Sequence, residues 1–503
     1  MSTWTSPSVV EKPARTLFGH PMGLYVLFST ELWERFSFYS MRAFLVLYLT
    51  KALLMADQIS NEIYGAYLGF VYAAPFFGGM LADRLLGQRR AIVIGGLLLA
   101  AAQFSLATHS VLLSGGESAG SFAMQALFFV ALGLIAAGNG FFKPNISTIV
   151  GSLYEQGDPR RDSAFTIFYM GINVGAFLAG FSGQLAQKIA WHWGFLLAGI
   201  GMLLSLIILG LGRGQLQNKG LPPNPQAMRQ PWHFGIPKSL ALAVAVIIFV
   251  PVAAAFIAHP RYVQGLALIV SVPILGYLIW EATRGTREEA GRMIVIIVLC
   301  SFSMMFWGAF ELAGSAINLF TDRQVHLPTL PLLGRLESSL LTAQINPLLI
   351  VLMAVFFTML WTWLGRMHME PSSPLKFSLG LMQLAAGFLV LYLGAVQAGN
   401  GGRCSVWYLV LGFVLHTTGE LCLSPVGLST ITKLSPARLV GTFMGVWFLS
   451  SSVGNILFGF VAGKTEHYGF KTVFLWIAIL EVAAGVLLFS LTPLLKRLMH
   501  GVR

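Results

Sequence analysis

The chain has 503 residues, of which 56% are hydrophobic and only 10% are charged. Soluble proteins are about 25% charged, so this composition, with a mean hydropathy of +0.74, excludes a soluble protein and indicates an integral membrane protein. The meaning of the net charge of +12 depends on where the basic residues lie. The three cysteines have no CxxC spacing, which argues against a disulfide framework and against a zinc site.

Fourteen apolar runs reach the length of about 20 residues that a membrane span requires. In chain order they lie near 22–50, 61–82, 91–113, 121–150, 163–187, 192–212, 236–258, 262–281, 293–321, 338–365, 375–397, 405–431, 439–463 and 469–495. The even number places both termini on one side of the membrane. Twenty-one of the 32 Lys and Arg residues fall in segments on that side and seven on the opposite side, which predicts cytoplasmic termini. This bias explains the net charge without nucleic acid or another acidic partner.

The spans divide into three predicted segments. These are a six-helix N-terminal bundle over 1–213, a linker with an additional transmembrane helix pair over 214–292, and a six-helix C-terminal bundle over 293–503. The helices of the additional pair contain no Asp, Glu, Lys, Arg or His over 239–258 and 262–280, so we expect a structural pair that packs against lipid.

Two six-helix halves are typical of the all-α major facilitator fold, in which repeats place the substrate near the middle of the membrane. The segment Gly79–Arg90 is similar to the GxxxDRxGxRR loop of that superfamily, with one extra residue.

The first span carries ionisable and aromatic side chains at helical spacing. They occupy one face of the helix and comprise Glu31, Glu34, Arg35, Phe38, Tyr39 and Arg42. A charge at mid-membrane costs roughly 2.5–3.5 kcal/mol on insertion scales, so the four charges would together cost on the order of 10–14 kcal/mol against lipid. We therefore expect this face to line a water-filled cavity and its charges to pair with one another. Lys143, Glu311 and Glu420, in other spans, are the candidate partners.

The sequence contains no pattern for nucleotide-driven transport or metal chemistry. No two histidines are spaced i, i+4, and Gly463-Lys464-Thr465 lacks the glycine that a phosphate-binding P-loop requires five residues earlier, where Phe458 stands. An ion gradient remains as the energy source, and buried glutamates near Arg and Lys suit protons. A membrane-embedded enzyme and a channel are the other classes, and no acid, metal or nucleophile cluster supports the first.

The chain resembles the proton-dependent oligopeptide transporter (POT) family. Seven segments match motifs of the family, and they run from the first to the eleventh of the twelve spans of the two bundles. They are Glu31-Leu-Trp-Glu-Arg-Phe-Ser-Phe-Tyr-Ser-Met-Arg42, Phe141-Phe-Lys-Pro-Asn145, Phe168-Tyr-Met-Gly-Ile-Asn-Val-Gly175, Phe306-Trp-Gly-Ala-Phe-Glu311, Gln344-Ile-Asn-Pro347, Glu420-Leu-Cys-Leu-Ser-Pro425 and Gly445-Val-Trp447. Two positions depart from the family pattern. Phe38 replaces a tyrosine, which removes a hydroxyl, and Ser40 replaces a glycine, which would loosen close helix packing.

The resemblance implies a role for each matching residue. Glu31, Glu34, Arg35 and Glu311 would handle protons, Arg42 and Lys143 would receive the peptide carboxylate, and Glu420 would face the amino terminus. The pocket would also be lined by Tyr39, Tyr72, Tyr169, Asn173, Trp307, Asn346, Ser424 and Trp447. Asp322 and Arg323 would belong to an outer gate.

The residues themselves agree with a peptide substrate. A short peptide is a zwitterion and requires a cation and an anion about one short chain apart. The planar guanidinium of Arg suits a carboxylate, and a lone Glu on the opposite half suits an ammonium.

The resemblance therefore predicts a proton-coupled symporter that imports di- and tripeptides by alternating access. It would be no enzyme, would use no cofactor beyond the coupling protons, and would work as a monomer in the plasma membrane, in bacteria the inner membrane. The alternative is a proton-coupled carrier of nitrate or another non-peptide solute on the same scaffold.

Overall fold

The computed structural model describes residues 15–155, 158–224, 228, 230–231, 237–399 and 401–501. Lys12, Arg229 and Arg503, which contribute to the predicted topology, lie outside the described residues. Short antiparallel hairpins pair β1 (Thr16–Leu17) with β2 (His20–Pro21) and β3 (Thr329–Leu330) with β4 (Gly334–Arg335). The rest of the described chain is dominated by long helices.

Six helices form the N-terminal half. They are α1 (Met22–Lys51), α2 (Asp57–Leu81), α3 (Gln88–Ser114), α4 (Phe122–Ser152), α5 (Arg160–Lys188) and α6 (Trp191–Gly212). Each corresponds to a predicted apolar run, although α2 ends one residue before the run 61–82 does and α4 begins one residue after the start of 121–150. Thirteen helical segments of the described chain are long and apolar enough to cross a membrane, and α1, 30 residues long but with four ionisable side chains on one face, completes the fourteen.

The additional pair consists of α7 (Lys238–Ala258) and α8 (Pro260–Arg284). Helix α7 packs closely on α4, where a Cβ on Gly133 would lie 2.5 Å from the carbonyl oxygen of Val250. Helix α8 is mostly exposed, so most of its apolar surface would be available to lipid.

The C-terminal half contains α9 (Arg287–Phe310), α10 (Ala316–Gln324), α11 (Ser338–Arg366), α12 (Ser373–Ala398), α13 (Val406–Leu434), α14 (Val440–Gly463) and α15 (Thr465–Leu498). A capping box starts α9, because Thr286 Oγ1 accepts from the amide of Glu289 and the Glu289 carboxylate accepts from the amide of Thr286. The predicted span 293–321 is not one continuous helix. A 3-10 turn over Glu311–Gly314 separates α9 from α10.

The extra residue in the Gly79–Arg90 loop has a structural counterpart. The chain forms a π-helical turn over Ala82–Leu86 and leaves it at Gly87, whose φ of 73° favours glycine. A π-helical turn holds one residue more than an α-helical turn and occurs mostly as a single turn of this kind. The loop is fixed by Arg89, which donates to the carbonyl oxygen of Gln217 at 2.5 Å.

The halves meet along α2 and α14, where glycines allow the backbones to touch. A Cβ on Gly65 would lie 2.5 Å from the carbonyl oxygen of Asn455, and one on Gly459 would lie 2.8 Å from the Cα of Gly65. We call the membrane side on which α1 begins and α15 ends the termini side, and the opposite side the far side.

Candidate functional site

A cavity of about 270 Å³ lies between the two halves. All eleven side chains predicted to bind substrate line it, together with Glu311. The N-terminal half contributes Tyr39, Arg42, Tyr72, Lys143, Tyr169 and Asn173, and the C-terminal half contributes Trp307, Glu311, Asn346, Glu420, Ser424 and Trp447. The structure thus brings into one cavity residues that lie up to 408 positions apart in the chain.

The charged face of α1 divides into a buried part and a cavity-lining part. Arg35 donates to both carboxylate oxygens of Glu34, at 2.5 and 2.7 Å, and its Nε lies 3.2 Å from a carboxylate oxygen of Glu31. All three side chains are buried, and none lines the cavity. Tyr39 lies between this cluster and the cavity, because its ring is 5.9 Å from the Arg35 guanidinium and 5.3 Å from that of Arg42.

Arg42 is paired across the two halves. Its guanidinium forms an ion pair with Glu311, and its Nε donates to the Tyr64 hydroxyl at 3.0 Å. Tyr72 donates to the other carboxylate oxygen of Glu311 at 2.8 Å. Glu311 stands in the 3-10 turn that interrupts the seventh span of the two bundles, and broken helices of this kind form many transporter binding sites. Gly314 in the same turn makes room for Tyr64, because a Cβ there would overlap the Tyr64 hydroxyl.

Lys143 has no carboxylate within ion-pair distance among the described side chains. Its ammonium lies 4.8 Å from the centre of the Tyr72 ring, a cation–π contact. The predicted ion pairing of Lys143 with the α1 glutamates is therefore not present in this conformation. Arg35 already engages both carboxylates, which leaves the lysine charge facing the cavity.

Glu420 is the corresponding charge on the C-terminal half. Its carboxylate accepts from the side-chain amide of Asn346 at 2.9 Å, and the same amide nitrogen lies 3.0 Å from Thr417 Oγ1. No Lys, Arg or His nitrogen of the described residues lies within 4.0 Å of this carboxylate. The cavity therefore presents one lysine and one glutamate, on opposite halves, without a partner of opposite charge.

His416 lines the cavity and was missed by the sequence reasoning. It lies one helical turn before Glu420, so the i, i+4 spacing on α13 could have identified it. The ring is buried against Gly387, where a Cβ would overlap it, and its centre is 4.8 Å from that of Phe388.

The two departures from the family pattern lie outside the cavity lining. The Phe38 ring lies 5.0 Å from the Arg35 guanidinium and covers the buried ion cluster rather than the pocket. Ser40 is buried and its hydroxyl makes no hydrogen bond within the described part of the chain.

The predicted gate residues pair across the halves on the far side. Lys51, at the end of α1, contacts Asp322 at 2.6 Å, and Arg323 contacts Asp57, at the start of α2, with both terminal nitrogens. Three neighbouring hydrogen bonds also join the two halves on this side. The backbone amide of Gln58 donates to the Glu466 carboxylate, the side-chain amide of Gln184 donates to the Arg335 carbonyl oxygen, and the Lys188 ammonium donates to the Leu333 carbonyl oxygen. In the described chain, no hydrogen bond or ion pair joins the two bundles on the termini side. This conformation is therefore closed on the far side.

The described residues include no cluster of three or more His, Cys, Asp or Glu side chains that could hold a metal ion. Arg and Lys side chains engage or face the site's glutamates, so the site is built for charge pairing and hydrogen bonding with a solute.

Known proteins resemble this chain over its whole length. The family model described as POT family matches residues 89–477. The peptide transporter YePEPT of Yersinia enterocolitica subsp. palearctica is 35% identical over 97% of each chain. The di-/tripeptide transporter of Lactococcus lactis subsp. cremoris is 35% identical over 98% of this chain and 99% of its own.

Solved structures agree. A crystal structure of a peptide transporter POT, a glutamate-to-glutamine variant in complex with alafosfalin, is 34% identical, has a TM-score of 0.83 and covers 97% of this chain and 98% of its own. The predicted all-α membrane fold is thereby confirmed. The chain is a multi-pass membrane protein, and it belongs to the POT family of transporters.

Proposed function

We propose that the protein is a proton-coupled symporter that imports di- and tripeptides by alternating access. The observation that carries this proposal is the pair of uncompensated charges in the cavity. Lys143 lies on one wall and Glu420 on the other, while the remaining cation and carboxylate, Arg42 and Glu311, neutralise each other. A short peptide carries the complementary charges at its two ends.

The same pair argues against nitrate or another purely anionic solute. Such an anion would bind near Lys143 and would gain nothing from Glu420, whose carboxylate would repel it. In a peptide complex the ammonium would lie beside Glu420 and the carboxylate beside Lys143, with Tyr169, Trp307 and their neighbours around the side chains.

Protons would enter through the carboxylates that hold the arginines. Protonation of Glu311 would remove the charge that binds Arg42, and the freed guanidinium could then join Lys143 at the peptide carboxylate. Glu31 and Glu34 share Arg35 in the same way, so protonation of either changes the balance of that buried cluster. Coupling follows because the substrate site gains a cation only when a proton is bound.

The structure would correspond to the inward-facing state. With cytoplasmic termini in a bacterial inner membrane, the closed far side is the outside of the cell. The ion pairs of Asp322 and Arg323 would then be the outer gate, which opens as contacts form on the termini side. Each chain holds a complete cavity, so the transporter would work as a monomer, and it would use no cofactor beyond the coupling protons.

Uptake into proteoliposomes tests the proposal. Labelled di-alanine should accumulate above its external concentration when the lumen is more alkaline than the medium, and should only equilibrate without that gradient. Unlabelled tri-alanine should compete, whereas nitrate should not. Equal accumulation with and without the gradient would refute proton coupling, and competition by nitrate alone would favour the non-peptide carrier.

A further inference from the structure

A second cavity, of about 440 Å³, lies between α8 and the contact of α2 with α14. Its volume is within the range of about 300–1,000 Å³ that is usual for ligand pockets. The walls are apolar and rich in aromatic rings, including Phe70, Phe76, Phe77 and Phe249. The hydroxyl of Ser452, which lies in the wall, is already engaged with the carbonyl oxygen of Gly69 at 2.7 Å. The lining also includes the hydroxyl side chains of Thr442 and Tyr277 but no charged residue, so the cavity suits a mostly hydrocarbon ligand.

The dimensions of the cavity suit one acyl chain. Along α8 the lining extends from Val263 to Tyr277, which is about 21 Å at a rise of 1.5 Å per residue. Half of a hydrocarbon core of about 30 Å is about 15 Å, so the cavity is long enough for one acyl chain of one leaflet. Several wall residues, such as Phe77 and Tyr277, are more than a third exposed at the protein surface, so the cavity opens towards the bilayer.

The termini-side end of the cavity carries the features of a headgroup site. Tyr277 and Trp280 lie there with ring centres 6.0 Å apart, and residues of these two types are enriched at membrane–water interfaces. One turn further, the Arg284 guanidinium lies 4.3 Å from the centre of the Trp280 ring. The described part of the chain provides no carboxylate within 4.0 Å of Arg284.

The nearby acidic side chains are already engaged. Glu281 and Glu289 contact Arg438, and Glu288 contacts Arg292 at 2.6 Å. Arg284 is therefore a positive charge without a carboxylate partner at the termini-side end of the apolar cavity, which we call the slot.

We propose that this cavity binds an anionic phospholipid of the termini-side leaflet, with one acyl chain between α8 and the α2–α14 contact and the phosphate at Arg284. The site is separate from the peptide cavity and does not depend on the proposed transport function. It gives the additional helix pair a role, because α8 forms the outer wall of the slot.

The effect on transport, unlike the site itself, rests on the proposed function, because in alternating access the contact of α2 with α14 beside the site would change. The Phe76 ring packs on Gly445, where a Cβ would lie 2.6 Å from the ring, and both residues line the slot. An acyl chain beside this contact would fill space that otherwise opens or closes as the halves rearrange. Bound lipid would therefore alter the rate of the conformational step.

Lipid retention by the purified full chain tests the proposal. The protein would be placed in nanodiscs of equal phosphatidylglycerol and phosphatidylcholine, transferred to detergent, washed and analysed for bound lipid by mass spectrometry. We expect the unaltered chain to retain phosphatidylglycerol. Val270→Trp, which fills the slot, should reduce retention about tenfold, equivalent to about 1.4 kcal/mol. Val272→Trp, on an exposed position of α8 outside the slot, is the matched control and should retain lipid normally.

Two further variants keep the test decisive. Ala73→Leu fills the slot from α2 and should also lose lipid, which covers the case in which Val270→Trp fails to fold. Arg284→Gln should retain both lipids equally. Undiminished retention in both filling variants, or retention of detergent alone by the unaltered chain, would overturn the proposal. Unchanged preference for phosphatidylglycerol in Arg284→Gln would refute the headgroup assignment.

Discussion

Replacement of Arg323 by Ala is predicted to open the far side of the protein. In the structure Arg323 contacts Asp57 with both terminal guanidinium nitrogens, one of them at 2.8 Å. The pair joins the end of α10 in one half to the start of α2 in the other, so it exists only while the far side is closed. Its loss destabilises the closed state and leaves the open state unchanged.

The expected size follows from the exposure of the pair. The Arg323 side chain is 41% exposed and that of Asp57 16% exposed. Exposed ion pairs contribute about 0.2–1 kcal/mol, and the two-nitrogen geometry with a mostly buried carboxylate places this pair near 1 kcal/mol. The ratio of closed to open molecules should therefore fall about fivefold.

Distances between spin labels on Leu54 and Leu332, which are exposed on the far side, measure that ratio. The native cysteines Cys300, Cys404 and Cys422 are buried, so labels introduced at exposed cysteines should dominate the signal.

Two comparisons make the gate test specific. Charge exchange, with Asp57→Arg and Arg323→Asp in one protein, should restore the closed population, whereas each change alone should not. Lys471→Ala removes an exposed charge on the same side that has no ion pair among the described residues, and should have no effect. If Arg323→Ala behaves like Lys471→Ala, the pair does not hold the gate closed.

Three other predictions concern the peptide cavity and the buried ion cluster. Glu420→Gln should weaken binding of a dipeptide about tenfold, because a charged hydrogen bond contributes roughly 1.5–3 kcal/mol, but should barely affect an analogue without the amino group; equal losses in a binding assay would remove Glu420 from the ammonium site. Glu31→Gln and Glu34→Gln should abolish accumulation driven by a pH gradient while counterflow of labelled peptide persists, and a parallel loss of both activities per milligram of folded protein would indicate a purely structural cluster. Gly314→Ala should abolish uptake because the new methyl group overlaps the Tyr64 hydroxyl, and Tyr64→Phe should partly restore it; no rescue would place the defect elsewhere.

Helical periodicity predicted the charged face of α1, because spacing along one helix determines direction around it. It did not predict how the face divides. Glu31, Glu34 and Arg35 satisfy one another inside the N-terminal bundle, whereas Arg42, two turns further, reaches the cavity. The division depends on which other helices pack against each turn, and a single sequence does not contain that information.

Long-range partners were beyond sequence reasoning for the same reason. The gate was expected at Asp322 and Arg323, but their partners Lys51 and Asp57 lie more than 260 residues away in the chain. The lining of the peptide cavity was anticipated because the resemblance carried it residue by residue. His416 lies outside the matched motifs, and only its spacing from Glu420 could have identified it.

The break at Glu311–Gly314 makes α10 a short helix that is separate from α9. Its nine residues span about 14 Å, with the carboxylate that holds Arg42 just before one end and the gate residues near the other. A rotation at this break would move the gate residues while the capped start of α9 keeps its place on the termini side. One short helix would thus connect the charge state of the cavity to the opening of the far side, over a distance that a direct ion pair does not span.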